Sequence, residues 1–273
     1  MQESQAQGRD KMAILERQDH GPVARLTLNS PEKLNALSDD MLAALADTFA
    51  DLTEDSSIRV VTLFGEGKAF CAGHDLKEMT RGRQAEDGGK AYFADLFTRC
   101  SKVMTAIRDL PQPVIAAPHG IATAAGCQLV ASCDLAIAAE GTKFGVNGVN
   151  IGLFCSTPMV ALSRNVPRKQ AFEMLTTGNF IDTDRARKIG LINRAVPHPI
   201  LEAATMELAE TIAGKLGAAV KIGKQAFYRQ LEMDLEAAYD YTRDVMVENM
   251  LWRDTEEGIN AFIEKRAPDW NQS

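Results

Sequence analysis

Between residues 22 and 139 the sequence alternates short apolar runs, typical of strands, with amphipathic segments typical of helices. The apolar runs cover 22–28, 59–64, 114–117 and 134–138, and helical segments cover 38–52 and 90–108. From Thr157 onward apolar residues recur three or four positions apart, and only a short strand pattern at 191–196 interrupts them. Strands that alternate with helices predict a βαβ-type α/β architecture, to which a helical C-terminal part is attached.

These patterns divide the chain into three parts. Residues 1–20 form a polar N-terminal extension, residues 21–197 the α/β core, and residues 198–273 a helical C-terminal region. The last region carries more apolar surface than a small appendage can bury alone, which predicts self-association. The residues that indicate this surface are Tyr239, Tyr241, Met246, Met250, Leu251 and Trp252.

Two runs of very small residues are the strongest functional signal. One is Ala72-Gly73 within 70–76, and the other is the stretch 122–126 within 120–128, which follows the strand predicted at 114–117. Small residues let a backbone approach a ligand closely and direct an amide N–H at it. Two such turns can present two convergent N–H groups to a single carbonyl oxygen.

Composition and charge exclude several classes of partner. The net charge of −7 argues against nucleic acid or an anionic membrane surface as the main partner. The five cysteines form no CxxC pair, no His/Cys cluster has the spacing of metal ligands, and no GxGxxG follows a strand, so we expect no metal and no cofactor. No apolar run approaches the ~20 residues that span a bilayer. The polar, mixed-charge first twenty residues predict a cytoplasmic protein.

The two turns and further motifs resemble the crotonase (enoyl-CoA hydratase/isomerase) superfamily over about residues 23–266. The supporting motifs lie at 30–37, 113–117, 132–134, 143–145, 150–153, 177–178, 186–192 and 257–262. The resemblance implies an α/β fold of the crotonase (ClpP-like) type, a spiral of ββα units with a C-terminal helical trimerisation region. It also implies a CoA thioester ligand, an oxyanion hole formed by the backbone amides of His74 and Ala125, and a homotrimer or a dimer of trimers. A family of this kind points to fatty acid metabolism, with lyase or isomerase chemistry.

Within the superfamily, three segments look like one lineage, that of enoyl-CoA hydratase domain-containing protein 3. The segments are 73–78, 124–134 and 148–158. In hydratases of the superfamily a glutamate stands at each of two positions that here hold Gln128 and Gly148, and in this lineage both are likewise replaced. Glutamine cannot exchange protons and glycine has no side chain, so the acid–base groups of a hydratase are missing at both positions. Animal members of the lineage are mitochondrial, whereas this N-terminus shows no corresponding presequence.

The resemblance also suggests where CoA binds. Lys33 precedes the segment 34–37, which in the family contacts the nucleotide end of CoA. Lys265 is a candidate for a phosphate contact, which it could make to CoA bound at a neighbouring subunit. The alternative is that Lys265 is simply a solvated residue at the end of a helix. The expected contacts to CoA are Lys33, Ala36, Ala72, His74, Asp75, Leu76 and Lys265.

Other side chains near the turns have competing interpretations. The His74 ring could titrate near neutrality, although its amide is the expected functional part and the ring could point to solvent. Asp75 is expected to cap a turn with its carboxylate. Cys155 has no evident base near it in the sequence that could activate it as a nucleophile. Asp134 is expected to be structural.

Three functions remain open at this point. The first is an enzyme that processes acyl-CoA through the thioester enolate, and the second is a non-catalytic acyl-CoA binder that keeps the oxyanion hole. The third is a structural trimer that binds no ligand. The small residues of both turns argue against this third function, because a protein without a ligand has no need of them. Detection of co-purified acyl-CoA separates the first two from the third.

Overall fold

The computed structural model describes residues 13–270, which form an α/β fold as the sequence predicts. The strands are β1 (Leu15–His20), β2 (Val23–Leu28), β3 (Val60–Gly65), β4 (Val114–Ala116), β5 (Ile121–Thr123), β6 (Leu135–Ala139), β7 (Lys143–Gly145) and β8 (Arg194–Val196). Six of them make one sheet in the order β1-β2-β3-β4-β6-β8, in which β1 is antiparallel to β2 and the other neighbours are parallel. Strands β5 and β7 pair in parallel as a second, two-stranded sheet.

The helices connect and cover these sheets. They are α1 (Asp39–Glu54), α2 (Leu76–Gly82), α3 (Lys90–Asp109), α4 (Ala125–Ser132), α5 (Pro158–Asn165), α6 (Arg168–Thr177), α7 (Thr183–Lys188), α8 (Leu201–Ala213), α9 (Gly217–Gln230), α10 (Leu235–Met250) and α11 (Arg253–Glu264). Each of β4 and β6 in the large sheet is followed by a strand of the small sheet, so the chain steps from one sheet to the other and back.

Helix α1 shows why the sequence pattern was informative. The Ser38 hydroxyl accepts a hydrogen bond from the Met41 amide at 3.2 Å, which caps the helix. Its buried residues Leu42, Leu45, Phe49 and Leu52 recur three or four positions apart, as expected for the predicted segment 38–52, and the helix packs against α3.

The opposite face of the large sheet is covered by α8. Ala209 and Ala213 of this helix form a buried cluster with Val23, Val60 and Ile115 from three strands. Parallel strands buried on both faces are expected in such a fold. Helix α8 therefore completes the core, although the sequence assigned it to the C-terminal helical region that begins at 198. The three-part division itself stays a prediction.

The N-terminal edge of the sheet differs from expectation. Leu15–His20, which the sequence placed in a polar extension, forms β1 and pairs along its whole length with β2. Its last four residues are exposed, as suits an edge strand with polar side chains. The first twelve residues of the predicted extension lie outside the described part of the chain.

Helices α10 and α11 project a large apolar surface. Helix α10 packs on α9, and α11 packs on α10. Their exposed apolar side chains include Tyr239, Met246, Met250, Leu251, Phe262 and Ile263. Exposed apolar side chains that cluster in this way are typical of an interaction surface.

None of the helices among residues 13–270 is both long enough and apolar enough to cross a membrane.

Candidate functional site

The two small-residue turns lie side by side. The Cys71 amide donates to the Ile121 carbonyl at 3.1 Å, and the Thr123 amide donates to the Cys71 carbonyl at 3.0 Å. These bonds form a parallel bridge between Cys71 and Ala122. The backbone that leads into the first turn is thereby registered against the strand that leads into the second.

Beyond this bridge, each turn presents a free backbone amide. In the described part of the chain, neither the His74 nor the Ala125 N–H donates a hydrogen bond to any protein group. Ala125 is the first residue of α4, where an amide has no intrahelical acceptor. A Cβ built on Gly73 would lie 3.4 Å from the Ala125 nitrogen, so the turns approach each other at these two residues. This arrangement can offer two donors to one oxygen atom, at the N-terminus of a helix.

Small side chains are needed for this approach. A Cβ on Gly126 would stand 2.2 Å from the Cys71 carbonyl oxygen, and Gly73 has a φ of +91°, which side chains rarely permit. Ala124 has a φ of 50° and a ψ of −118°, an unusual conformation for a residue with a Cβ, and it turns the chain directly into α4. Its own amide bonds the Gly145 carbonyl at 2.9 Å. The hydrogen bond to Gly145 therefore fixes the strained residue Ala124, while the amide of the next residue, Ala125, stays free.

A third segment supports the first turn from its other side. The Leu37 amide donates to the Gly73 carbonyl at 2.7 Å, and the Ala72 amide donates to the Leu34 carbonyl at 3.0 Å. Leu34 and Asn35 are consecutive residues with positive φ. The buried Asn35 side chain fixes this conformation with hydrogen bonds of 2.8–2.9 Å to three backbone groups. This role of Asn35 was not predictable from local sequence, because two of its partners lie about thirty residues away.

Two of the expected CoA contacts, Ala36 and Ala72, belong to this arrangement. Ala36 is buried next to the first turn, and the Ala72 amide is already engaged by Leu34. Any contact that Ala72 makes with a ligand therefore excludes its amide.

Asp75 caps the helix that follows the first turn. Its carboxylate accepts hydrogen bonds from the amides of Lys77 at 2.8 Å and Glu78 at 3.3 Å, and Lys33 Nζ lies 3.5 Å away. Burial alone would raise the pKa of Asp75, but these two amides and the Lys33 charge outweigh it, so the pKa is lowered. The structure thus brings Lys33, Asp75 and the exposed Leu76 together at one edge of the site.

Gln128 lies on the first turn of α4, three residues after Ala125. Its side chain is almost wholly buried, and its Oε1 atom has no hydrogen-bond partner in residues 13–270. A buried carbonyl oxygen without a partner is costly, and such atoms are often found where a ligand completes the hydrogen bonding.

Gly148 leaves no room for a side chain. Its amide donates to Cys155 Sγ at 3.3 Å, and a Cβ would stand 2.2 Å from the Leu153 carbonyl oxygen and 2.9 Å from that sulfur. Its φ is not positive. The chain at 153–155 therefore occupies the space into which a side chain at position 148 would extend.

The His74 ring is enclosed rather than exposed to solvent. Nδ1 lies 3.3 Å from the Leu37 carbonyl oxygen, and the ring packs edge-on against Phe97 of α3 at a centroid distance of 5.8 Å. Nε2 is buried and has no partner among the described residues. Burial lowers the pKa of His74 from its ordinary value of 6.5, so the ring is neutral at pH 7.

The cysteines and Asp134 are structural. Burial raises the pKa of both Cys71 and Cys127 to about 12, so neither supplies a thiolate near neutrality. Asp134 accepts hydrogen bonds from Lys224 at 2.7 Å, Tyr228 at 2.8 Å and the Val114 amide at 2.6 Å. Lys224, which the sequence did not single out, joins α9 to the sheet through this contact.

Lys265 makes no hydrogen bond or ion pair with the other expected residues in the described part of the chain. It follows α11 with a φ of 58°, and no hydrogen bond or ion pair among residues 13–270 links it to either turn. Within the same range, no group of three or more His, Cys, Asp or Glu side chains could hold a metal ion.

The chain is similar in sequence to proteins of one family. The sequence model described as enoyl-CoA hydratase/isomerase matches residues 18–273. The relative named enoyl-CoA hydratase domain-containing protein 3, mitochondrial, is 45% identical in Xenopus laevis over 94% of this chain and 85% of the relative. The human protein of the same name is 47% identical over 91% of this chain and 80% of the relative.

Solved structures give the same result for the fold. A crystal structure of enoyl-CoA hydratase from Mycobacterium smegmatis superposes with a TM-score of 0.90 at 53% identity, covering 94% of this chain and 98% of that one. The crystal structure of human enoyl Coenzyme A hydratase domain-containing protein 3 superposes with a TM-score of 0.89 at 45% identity, covering 94% and 99%. The predicted crotonase fold and the resemblance to this lineage are confirmed.

The predicted cytoplasmic location is wrong by the same comparison. The relatives from Xenopus laevis, Mus musculus, Homo sapiens and Danio rerio are all named as mitochondrial proteins. Polarity of the first twenty residues was an insufficient basis for that prediction.

Proposed function

Because the chain belongs to the enoyl-CoA hydratase/isomerase family, we propose that it binds acyl-CoA and polarises the thioester carbonyl with two backbone amides. The donors are the N–H groups of His74 and Ala125. The observation that carries this proposal is that both amides lack a protein acceptor in the described chain, whereas the nearby amides of Ala72 and Ala124 are hydrogen-bonded. Amide groups fixed before the ligand arrives need no reorganisation when charge develops on the oxygen.

The missing carboxylates limit the chemistry. Addition of water to an enoyl thioester requires one group to remove a proton from the attacking water and another to deliver a proton to the α-carbon. Each such acid–base group typically contributes about 10²–10⁴ in rate. Gln128 cannot exchange a proton, and the space beside Gly148 is filled by 153–155. We therefore propose that ordinary hydration is inefficient in this protein. A non-catalytic acyl-CoA binder is the alternative.

CoA recognition is proposed at the edge of the first turn. Lys33 is half-exposed, and its Nζ lies 3.5 Å from the Asp75 carboxylate. Its ammonium group can contact a phosphate of CoA while its stem covers the turn. Ala36, Ala72, His74 and Leu76 would line the path of the pantetheine.

Assembly as a homotrimer, or as a dimer of trimers, is proposed on α10 and α11. These helices leave Leu251, Phe262 and Ile263 more than two-thirds exposed in one chain. A copy that buries this surface could also bring its Lys265 to a neighbouring site.

The proposal is tested with two ligands that differ only in the carbonyl oxygen. Butyryl-CoA has a thioester, and S-butyl-CoA is the corresponding thioether. Two neutral hydrogen bonds contribute about 1–3 kcal/mol together, so calorimetry should give an affinity for butyryl-CoA that is about 5–150-fold higher. Equal affinities would refute the assignment of the two amides, and failure of both ligands to bind would refute CoA recognition altogether.

A rate measurement tests the proposed lack of hydratase chemistry. Crotonyl-CoA hydration should proceed far below the ~10 s⁻¹ that is typical of enzymes. A rate near that value would contradict the proposed lack of hydratase chemistry.

A further inference from the structure

The last three helices are attached to the α/β core without sharing its hydrophobic clusters. Helix α9 packs on α10, and α10 packs on α11. None of the residues 217–264, which we call the C-terminal arm, belongs to any of the three clusters of buried hydrophobic residues in the described chain. Helix α8, by contrast, contributes Ala209 and Ala213 to one of them. Hydrophobic burial therefore holds α8 on the sheet but contributes little to holding the arm.

The arm also buries few side chains of its own. Helix α9 buries Lys224 and Ala226, α11 buries Asp254 and Ala261, and none of the described residues of α10 is buried. Two of these four residues are alanines, whose small side chains bury little apolar area. Segments with few buried apolar contacts open at a lower free energy than the core of the same protein.

A buried polar cluster, which we call the latch, joins the arm to the core. Lys224 Nζ donates hydrogen bonds to the carbonyl oxygens of Ile107 at 2.8 Å and Gln112 at 2.9 Å, and to Asp134 Oδ2 at 2.7 Å. The Tyr228 hydroxyl donates to Asp134 Oδ1 at 2.8 Å. Three acceptors use the full donor capacity of the ammonium group. Two residues of α9 thus bind three positions of the core.

The latch is shielded from water, unlike a second ion pair between the arm and the core. The side chains of Lys224 and Asp134 are 5% and 13% exposed. The pair of Arg164 in α5 and Glu232 in the arm has a distance of 3.8 Å, and both of its side chains are more than 60% exposed. Exposed pairs of this kind contribute little, whereas removal of one partner from a buried pair is strongly unfavourable. The latch is therefore the stronger of the two contacts.

We propose that the C-terminal arm opens and closes as one unit, hinged at residues 214–216 between α8 and α9, and that the latch holds it closed. Opening separates Lys224 from Asp134 and exposes both to water, together with the carbonyl groups of Ile107 and Gln112. The core clusters stay intact, because they contain no residue of the arm. Since α10 and α11 carry an exposed apolar surface, the latch fixes the position of that surface relative to the core. This inference is independent of the proposed CoA ligand.

Removal of the ammonium group should open the arm and leave the core folded. In Lys224→Met the closed state buries the Asp134 carboxylate and two carbonyl oxygens without their donor, which is strongly unfavourable. The open state returns these groups to water, so the substitution shifts the equilibrium towards it. Tyr228→Phe removes one hydroxyl group from the same latch and should act in the same direction with a smaller effect.

The test is hydrogen–deuterium exchange of the full chain, followed by mass spectrometry. We expect the most protected amides of the arm to exchange at least about 100-fold faster in Lys224→Met than in the native protein, and about tenfold faster in Tyr228→Phe. Peptides from β2, β3 and β4 should change less than about threefold in both variants. The control is Arg243→Met, which removes the same charge from the arm together with exposed pairs to Asp240 and Asp244, and should leave all peptides unchanged.

Each outcome decides the proposal. Faster exchange confined to the arm supports it. Equal acceleration in the arm and the core overturns it, because the two would then open together as one cooperative unit. Unchanged exchange of the arm in Lys224→Met also overturns it, since the latch would then not hold the arm. If Lys224→Met does not fold, Tyr228→Phe decides by the same comparison of arm and core.

Discussion

Replacement of Gly73 by alanine should separate the stability of the first turn from its binding function. The residue has a φ of +91°, and the new Cβ would stand 3.0 Å from the Ala124 Cβ, 3.1 Å from the Thr123 carbonyl oxygen and 3.4 Å from the Ala125 nitrogen. The positive φ alone costs about 1–2 kcal/mol for a residue with a side chain. The crowding acts directly between the two free amides, so their distance must change.

Gly141→Ala is a matched control for the backbone term. Its φ is +82°, and a Cβ there would have no neighbour within 4 Å. Urea unfolding should show that both variants lose about 1–2 kcal/mol of stability. A difference in ligand binding between them then reports the crowding rather than the strained backbone.

The binding assay uses acetoacetyl-CoA, a thioester that forms its enolate readily. Loss of one oxyanion donor typically costs 10²–10³, or about 2.7–4 kcal/mol, when the oxygen is charged. We expect Gly73→Ala to weaken binding of the enolate form by about 100-fold and Gly141→Ala to leave it unchanged. Binding of the two variants within threefold of each other would refute the idea that the spacing of the turns sets the site.

Three further predictions concern stability and assembly. Lys224→Met should lower the free energy of unfolding by about 3–5 kcal/mol, because Asp134 and two buried carbonyl groups lose the donor that they share. The control is Arg243→Met, which removes only exposed ion pairs. Equal urea midpoints for the two variants would contradict the prediction. Gly148→Ala should destabilise the protein by about 1–3 kcal/mol, because the new methyl group would clash with residues 153–155. Gly223→Ala should stabilise it slightly, since Gly223 lies within α9 and a Cβ there has no neighbour within 4 Å. Equal unfolding curves would show that residues 153–155 move to accommodate the methyl group. Light scattering at micromolar concentration should give the mass of a trimer or hexamer, and a monomeric mass would show that α10 and α11 stay exposed.

The long elements were predictable from local patterns. Helices α1 and α3 lie within a few residues of the segments predicted at 38–52 and 90–108, because each has apolar residues at helical spacing and a cap or a breaker at its end. Strands β2, β3 and β6 were likewise found, since buried parallel strands are continuous apolar runs.

The short elements were missed for physical reasons. Strand β1 consists of mostly polar residues and exists through its pairing with β2. Strands β5 and β7 are three residues each and stabilise one another across about twenty residues of sequence. Helix α2 starts where Asp75 caps a segment too short for periodicity to be visible. In each case the stabilising contact is tertiary.

The sequence by itself determined which chemical groups the site has: small residues that free two amides, and no carboxylate at positions 128 and 148. Only the tertiary structure decided how those groups can act. Residues 153–155 occupy the space beside Gly148. The His74 ring lies between the Leu37 carbonyl and Phe97, and its Nε2 atom has no hydrogen-bond partner among the described residues. Side-chain identity is local, but burial and free space depend on segments up to tens of residues away, and these are what set the pKa and the room for a side chain.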